Sequence, residues 1–336
     1  MMALERLRLN RFLVLGRAGM DLYADPPGSQ VEHAEQFFAC LGGSAANIAA
    51  GIVRLGGQAD LIGAVSDDAV GRFTRNQLHR FGVGTHHVAT VGGERRNSLA
   101  VVETRIEDCQ SVIYRNGAAD FALDRATVEG ADYADAGALI VTGTAFAAEP
   151  SRGAGFLAVD KARAAGVPVI LDVDHRPYSW GSDAEAREVY RRLASRCDVV
   201  VGNDDEFAVM AGSRDGGLAL AGDLVGSGSA ISVYKLGERG SITFVAGSAF
   251  RTGIFPVQAI KPMGAGDAFL AGLVTGLANG RSARDSVRRG AAAAAIVVAG
   301  IGCAPAMPTR DQLDRFLADH GEHTPAPGGP DAHPTV

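Results

Sequence analysis

The sequence predicts a doubly wound α/β domain that carries a second, smaller β-sheet. From residue 138 onward, continuous apolar runs (ALIVTG, VPVILDVD, CDVVVGN, AISVYKLG) alternate with helical stretches over 151–165, 184–195 and 204–211. Strands that are apolar along their whole length belong in a parallel sheet covered on both faces. The last third reads as three helices, over 265–278, 283–299 and 310–318. Two early segments rich in β-branched and aromatic residues, 31–39 and 98–114, stand outside this alternation. They are expected to form a small antiparallel sheet, placed as a lid over the strand ends.

Ahead of the regular alternation, RFLVL over 11–15 is a short buried strand that ends at Gly16. Residues 45–55 and 71–81 read as helices, with a strand over 61–65 between them. One domain is therefore expected over 11–320, with lid strands supplied by 17–41 and 96–122. Residues 321–336, rich in Pro, Gly and His, offer little to bury and are expected to form a flexible tail.

The 336 residues are 47% hydrophobic and 21% charged, which allows a full-sized core without disulfide or metal staples. A balance of 32 basic against 38 acidic residues gives a net charge of −6. With no long basic block, nucleic acid is not an expected partner. Cys40, Cys109, Cys197 and Cys303 lie far apart with no C-x-x-C pair, which argues for free thiols in a reducing compartment. The apolar run at 12–16 is too short for a signal peptide, and the one beginning at Ala291 is broken by Gly300, Gly302 and Pro305. A cytoplasmic location without a membrane partner is expected.

The sharpest motif is GAGDAF, from Gly264 to Phe269, opening the first of the three late helices. Gly264, Ala265 and Gly266 let backbone N–H groups turn toward one point, where the positive end of the helix dipole adds to them. Asp267 sits in the same first turn. An anion cradle beside a carboxylate that can take a hydroxyl proton is the minimum apparatus for phosphoryl transfer to an alcohol. The plainer reading is a helix start that uses Gly for packing and Asp for the dipole. No Walker A loop occurs, and the third glycine of a dinucleotide fingerprint is missing.

Weaker signals sit at strand ends, where open α/β sheets bind ligands. Asn203 and Glu206 can order water around a cation, or simply form a capping box. Lys235, Gly237 and Gly240 lie in KLGERG, which reads as a hairpin turn on which a nucleotide phosphate could also rest. Asp172, Asp174 and Arg176 follow VPVIL, either in a site or in a solvated loop. Asp21 after the first strand, with Gly42, Gly43 and Asn47 opening the first helix, suits sugar hydroxyls or plain turn chemistry. Arg115 ends SVIYR and is a candidate fork for a carboxylate, or an ordinary surface residue.

In this order the motifs, GGSAAN and GAGDAF above all, resemble the ribokinase-like (PfkB) sugar kinases from residue 11 to residue 317. The resemblance implies a ribokinase-like, Rossmann-type three-layer α/β/α domain with a β-sheet lid, ATP as phosphoryl donor and Mg2+ as its ion. It implies Asp267 as base, Gly264, Ala265 and Gly266 as the anion hole, and Asn203 and Glu206 as residues acting on magnesium and phosphate. Lys235, Gly237 and Gly240 would lie along the nucleotide, and Asp21, Gly42, Gly43 and Asn47 would hold the acceptor. GRAGMDLY, IYRNGAADFALD, VTGTAFA, LDVDHRPYSW and GCAPAMPT look most like members that act on an acidic keto-sugar in myo-inositol breakdown. Such an acceptor needs an arginine clamp, for which Arg115 is the first choice, followed by Arg17 and Arg176. A related sugar acid, a neutral sugar or nucleoside, or a catalytically silent sugar-binding role are the alternatives, and a homodimer paired through the lids is the expected assembly. Two departures stand out. Lys261-Pro262-Met263 replaces the Asp-Thr common before GAGD, which weakens transfer of the monovalent-cation site some relatives build there. Asp174 replaces the usual Asn of D-x-N-x-R.

Overall fold

The computed structural model describes residues 2–322. Of the tail expected over 321–336, everything from 323 on lies outside the described residues.

The strands in chain order are β1 (Arg11–Leu15), β2 (Gly19–Asp25), β3 (Gln36–Gly42), β4 (Gln58–Ser66), β5 (Gly84–Val91), β6 (Leu99–Val102) and β7 (Ser111–Tyr114). They continue with β8 (Ala138–Thr142), β9 (Val169–Asp172), β10 (Val199–Asn203), β11 (Ile231–Lys235), β12 (Ser241–Val245) and β13 (Ser248–Thr252). The helices are α1 (Ser44–Arg54), α2 (Ala69–Arg80), α3 (Arg125–Glu129), α4 (Ser151–Ala164), α5 (Asp183–Ala194), α6 (Asp204–Ala211), α7 (Gly216–Gly226), α8 (Ala265–Ala278), α9 (Ala283–Val298) and α10 (Arg310–Asp319).

A nine-stranded sheet runs β13-β12-β11-β10-β9-β8-β1-β4-β5. Its pairings from β11 through β5 are parallel, and only the β11–β12 and β12–β13 pairs are antiparallel. The apolar strands divide between two cores residue by residue. Phe12, Val14, Ile140, Ile170 and Val201 enter one core with Ile48 of α1, Leu273 of α8 and Val287 of α9. Leu13, Leu15, Leu139, Leu171 and Val200 enter the other with Val159 of α4, Leu193 of α5 and Phe207 of α6. That two-sided burial is why these strands read as unbroken apolar runs.

The second sheet, β3-β2-β6-β7, differs from the antiparallel one expected: β2 and β6 pair in parallel. The chain makes two separate excursions from the main domain, so strands from different excursions meet without a hairpin between them. Residues 31–39 are also not all strand. Val31–His33 form a short 3-10 turn, and β3 starts at Gln36. On this sheet, period-2 alternation puts Asp21, Tyr23, Cys40, Ala100 and Val102 on one face, all of them buried. Leu22, Phe37, Val101, Val112 and Tyr114 lie on the other, with Phe37, Val112 and Tyr114 exposed. Cys40, Cys197 and Cys303 are buried free thiols, and Cys109 is half-buried. No described helix is long and apolar enough to cross a membrane.

Candidate active site

The parallel strands all deliver their carboxyl ends to one edge of the large sheet, and the loops leaving β1, β9, β10 and β11 supply most of the polar groups there. Helix α8 aims its N-terminus at the same region. Its N-cap is Gly264, with φ +84°, and no side chain caps the first turn. The first-turn amides are therefore left to a ligand. A methyl at Gly264 would fall 2.6 Å from Cys303 Sγ, so backbone angle and packing both require glycine.

Asp267 in that turn accepts a hydrogen bond from Asn47 Nδ2 at 2.9 Å. Burial raises its pKa from 3.8 to about 7; Asp174 adds to the rise, while Asn47, Arg176 and Arg17 oppose it. A carboxylate poised near neutrality suits proton acceptance at physiological pH. Asn47, expected only at the acceptor, thus also touches the expected base. Its Oδ1 is buried without a partner.

Asn47 is placed by the turn into α1. Gly43 caps that helix at φ +95°, and a side chain there would meet the Arg17 carbonyl at 2.4 Å. Asp21 from β2 lies flat on the neighbouring residue, since a methyl on Gly42 would fall 1.8 Å from its Oδ1. Burial pushes Asp21 up to about 6 against the pull of Arg17 and Lys261, and its Oδ1 also has no partner. Two buried oxygens without donors, on Asp21 and Asn47, are what a polyhydroxylated ligand would satisfy.

The loop after β9 contributes Asp174, at φ +38°. Its Oδ2 accepts from Thr144 Oγ1 at 3.0 Å and its Oδ1 pairs with Arg176 at 2.9 Å. Burial works against ionisation of Asp174, yet Arg176, Arg17 and Thr144 hold it below the usual carboxylate range. An Asn here could not form that ion pair. Arg17 is buried and reaches Ser98 Oγ at 3.3 Å. Arg115 is buried rather than on the surface: Asp120 Oδ2 takes its Nε and Nη2 at 3.0 and 2.6 Å, and Thr144 O takes Nη2 at 3.0 Å. Only Nη1 remains, 3.5 Å from Ser179 Oγ. Burial raises the Tyr178 phenol while Arg176, Arg17 and Arg115 pull it down.

On the other flank, Lys235 ends β11 in register with Asn203 of β10. Its ammonium lies 3.3 Å from where a Gly266 Cβ would stand, directly over the GAGD turn. Burial disfavours its charge, but Asp172, Glu206, Asp267 and Asp174 more than compensate and raise its pKa. Asp172, buried at the end of β9, is pushed well above its ordinary value by burial, with Lys235 opposing. Sequence reasoning left Asp172 open between a site and a solvated loop, because only the sheet brings it into the field of Lys235. Asn203 and Glu206 do form a capping box: Asn203 N donates to Glu206 Oε2 at 2.6 Å and Glu206 N to Asn203 Oδ1 at 2.8 Å. Glu206 Oε1 also accepts from His175 N at 3.1 Å, which ties the Asp174 loop to α6. Gly237 and Gly240 lie in the tight turn between β11 and β12, as KLGERG suggests. Gly240 at φ +80° packs on the Thr252 carbonyl.

Comparison with known proteins bears on this geometry. The family model described as pfkB family carbohydrate kinase matches residues 10–310. A 5-dehydro-2-deoxygluconokinase of Photobacterium profundum is 40% identical over 94% of this chain and 97% of its own. One from Geobacillus kaustophilus is 38% identical over 92% and 94%. Among solved structures, a PfkB protein from a Polaromonas species superposes with TM-score 0.78 at 28% identity, covering 90% of this chain and 99% of that one. A Vibrio cholerae fructokinase double mutant bound to fructose, ADP and potassium ion gives 0.79 at 25%, covering 91% and 98%. With that family model spanning residues 10–310 and relatives 38–40% identical over more than nine-tenths of its length, this chain belongs to the pfkB family of carbohydrate kinases.

Proposed function

We propose that this kinase transfers a phosphoryl group from ATP to the primary hydroxyl of 5-dehydro-2-deoxygluconate, with Asp267 as the base. The observation that carries the reading is Asp267 in the uncapped first turn of α8, bonded to Asn47 and raised by burial to about 7 against the field of Arg176 and Arg17. The amides at 265–267 and the Lys235 ammonium receive the negative charge of the transferred group. Asn47 holds the Asp267 carboxylate in place, and Asp21 and Asn47 Oδ1 accept from acceptor hydroxyls. Arg17 and Arg176 face the acceptor carboxylate, with Arg115 Nη1 behind them. The lid sheet carries Asp21, so its closure would exclude water.

Magnesium fits the donor set. Asp172 and Asp267 bring carboxylate oxygens to the field of Lys235, while both Glu206 oxygens are taken by the backbone amides of Asn203 and His175. No three His, Cys, Asp or Glu side chains form a ready cage among the described residues. That pattern suits an ion held chiefly through waters and phosphates, on which Asn203 and Glu206 would act at one remove. When bound, the ion would neutralise phosphate charge.

The relatives named 5-dehydro-2-deoxygluconokinase support this acceptor; a place in myo-inositol breakdown rests on the sequence resemblance alone. 2-Dehydro-3-deoxygluconate is equally acidic and is the second reading, because the same arginines would serve it. A neutral sugar would leave them without an anion. ADP release measured with both acids, fructose, ribose and a nucleoside tests the proposal. It expects kcat/KM highest for 5-dehydro-2-deoxygluconate; a neutral sugar in first place would refute it.

A further inference from the structure

Lys261 is among the largest fully buried side chains of the protein, with 0% exposure, and in the roles above it figures only as one of the cations that oppose the rise of Asp21. Its Nζ donates to Met263 O at 2.8 Å and to Val297 O at 3.1 Å. A buried ammonium ordinarily has a carboxylate in contact; here the contacts are backbone carbonyls. Their places in the fold matter. Val297 lies in the last turn of α9, where the dipole is negative, and its carbonyl takes the Gly300 amide at 3.2 Å as well as the Lys261 ammonium. Met263 O belongs to the peptide that leads into Gly264, the N-cap of the cradle. The main chain follows the same route, since the amides of Ile260 and Lys261 both donate to Val298 O, at 2.8 and 3.3 Å. The negative end of α9 therefore sits just behind a turn that must hold an anion. Left bare, it would oppose the cradle.

We propose that Lys261 is a positioning residue for phosphoryl transfer, a tethered internal cation that binds the α9 carboxyl end to the 263–264 peptide and neutralises the field behind the cradle. A carbonyl-lined site at a helix C-terminus would otherwise suit a free monovalent cation. With the ammonium already in it, the enzyme has no use for one. The inference rests on the kinase reading but not on which sugar is the acceptor.

The test uses whichever acceptor the wild type turns over best, so an error in the acceptor leaves it intact. Wild-type kcat should stay within about twofold when potassium is exchanged for tetramethylammonium at equal ionic strength. Lys261→Met, which keeps the stem and removes the charge, should lose kcat by about 100-fold, the scale of one electrostatic contact, with acceptor KM nearly unchanged. Lys261→Ala should be rescued about tenfold by ammonium or potassium and not by tetramethylammonium. Wild-type activity that depends on potassium, full kcat in Lys261→Met, or a folded Lys261→Ala that ammonium cannot rescue would each overturn the inference. Should Lys261→Ala fail to fold, the Met variant and the wild-type ion series still decide.

Discussion

Asn47 Nδ2 donates to Asp267 Oδ2 at 2.9 Å, so the first turn of α1 holds the carboxylate in the first turn of α8 across 220 residues of sequence. Burial raises Asp267 to about 7, and this hydrogen bond is one of the forces opposing that rise. A base must be ionised, so activity climbs as pH rises through 7. Removing the donor in Asn47→Ala favours the protonated form. The acidic limb of the kcat profile should then move up by roughly one pH unit, with loss of activity greatest below neutrality. A pH–rate series on both proteins checks this; an unmoved limb would mean that Asn47 serves the acceptor alone.

The sites that raise carboxylate pKa values weaken the fold at high pH. Asp21 rises from 3.8 to about 6 because burial outweighs Arg17 and Lys261. A carboxylate raised in the folded state makes the native protein hold more protons than the unfolded chain between those values. Stability from this group therefore falls as pH rises from about 4 to 6 and stays lost above. Asp21→Asn should stabilise the protein by roughly 1–3 kcal/mol at pH 8, and not at pH 4, while raising acceptor KM. Thermal melts at the two pH values measure it.

The three arginines should separate by assay. Arg176→Ala should raise the KM of an acidic acceptor roughly 10- to 100-fold with little change in ATP affinity, and should lower the melting temperature because the buried Asp174 carboxylate loses its ion-pair partner. Arg115 and Asp120 form a pair in which each side chain is 4% exposed. Arg115→Ala leaves a buried carboxylate unpaired and should cost about 3–5 kcal/mol of stability. A stable Arg115→Ala protein would place that residue in binding rather than in support.

Much of this was legible in the sequence, for physical reasons. The parallel strands β8 to β11 show themselves because both faces are buried, and GAGDAF marks α8 because an uncapped N-terminus needs its glycines. Other elements hide. In β2, GMDLYAD puts Asp21 and Tyr23 on the buried face, so the strand breaks the polar-out rule at its functional residue. The β12–β13 hairpin is edge strand with polar, exposed positions. Helix α7 begins and ends in glycine. Asp172 and Lys261 gain their meaning only from neighbours that tertiary structure supplies, the first from Lys235 and the second from the α9 terminus.

The outer lid face should pair two copies. Phe37, Val112 and Tyr114 are 38%, 47% and 59% exposed on one side of the small sheet, an apolar patch of the kind that marks an interface. Sedimentation should give twice the 34.7 kDa chain mass, and Val112→Glu with Tyr114→Lys should reduce it to one. A monomeric wild type would leave the lid without a partner copy.

The most direct measurement is the turnover of Asp267→Asn with ATP and 5-dehydro-2-deoxygluconate, read beside its nucleotide affinity by calorimetry. Asn keeps the shape and the contact with Asn47 but cannot take a proton. The account predicts kcat lower by about 1,000-fold or more, with ATP affinity within a few-fold of wild type. Turnover within tenfold of wild type would contradict it and leave the α8 carboxylate without its assigned role.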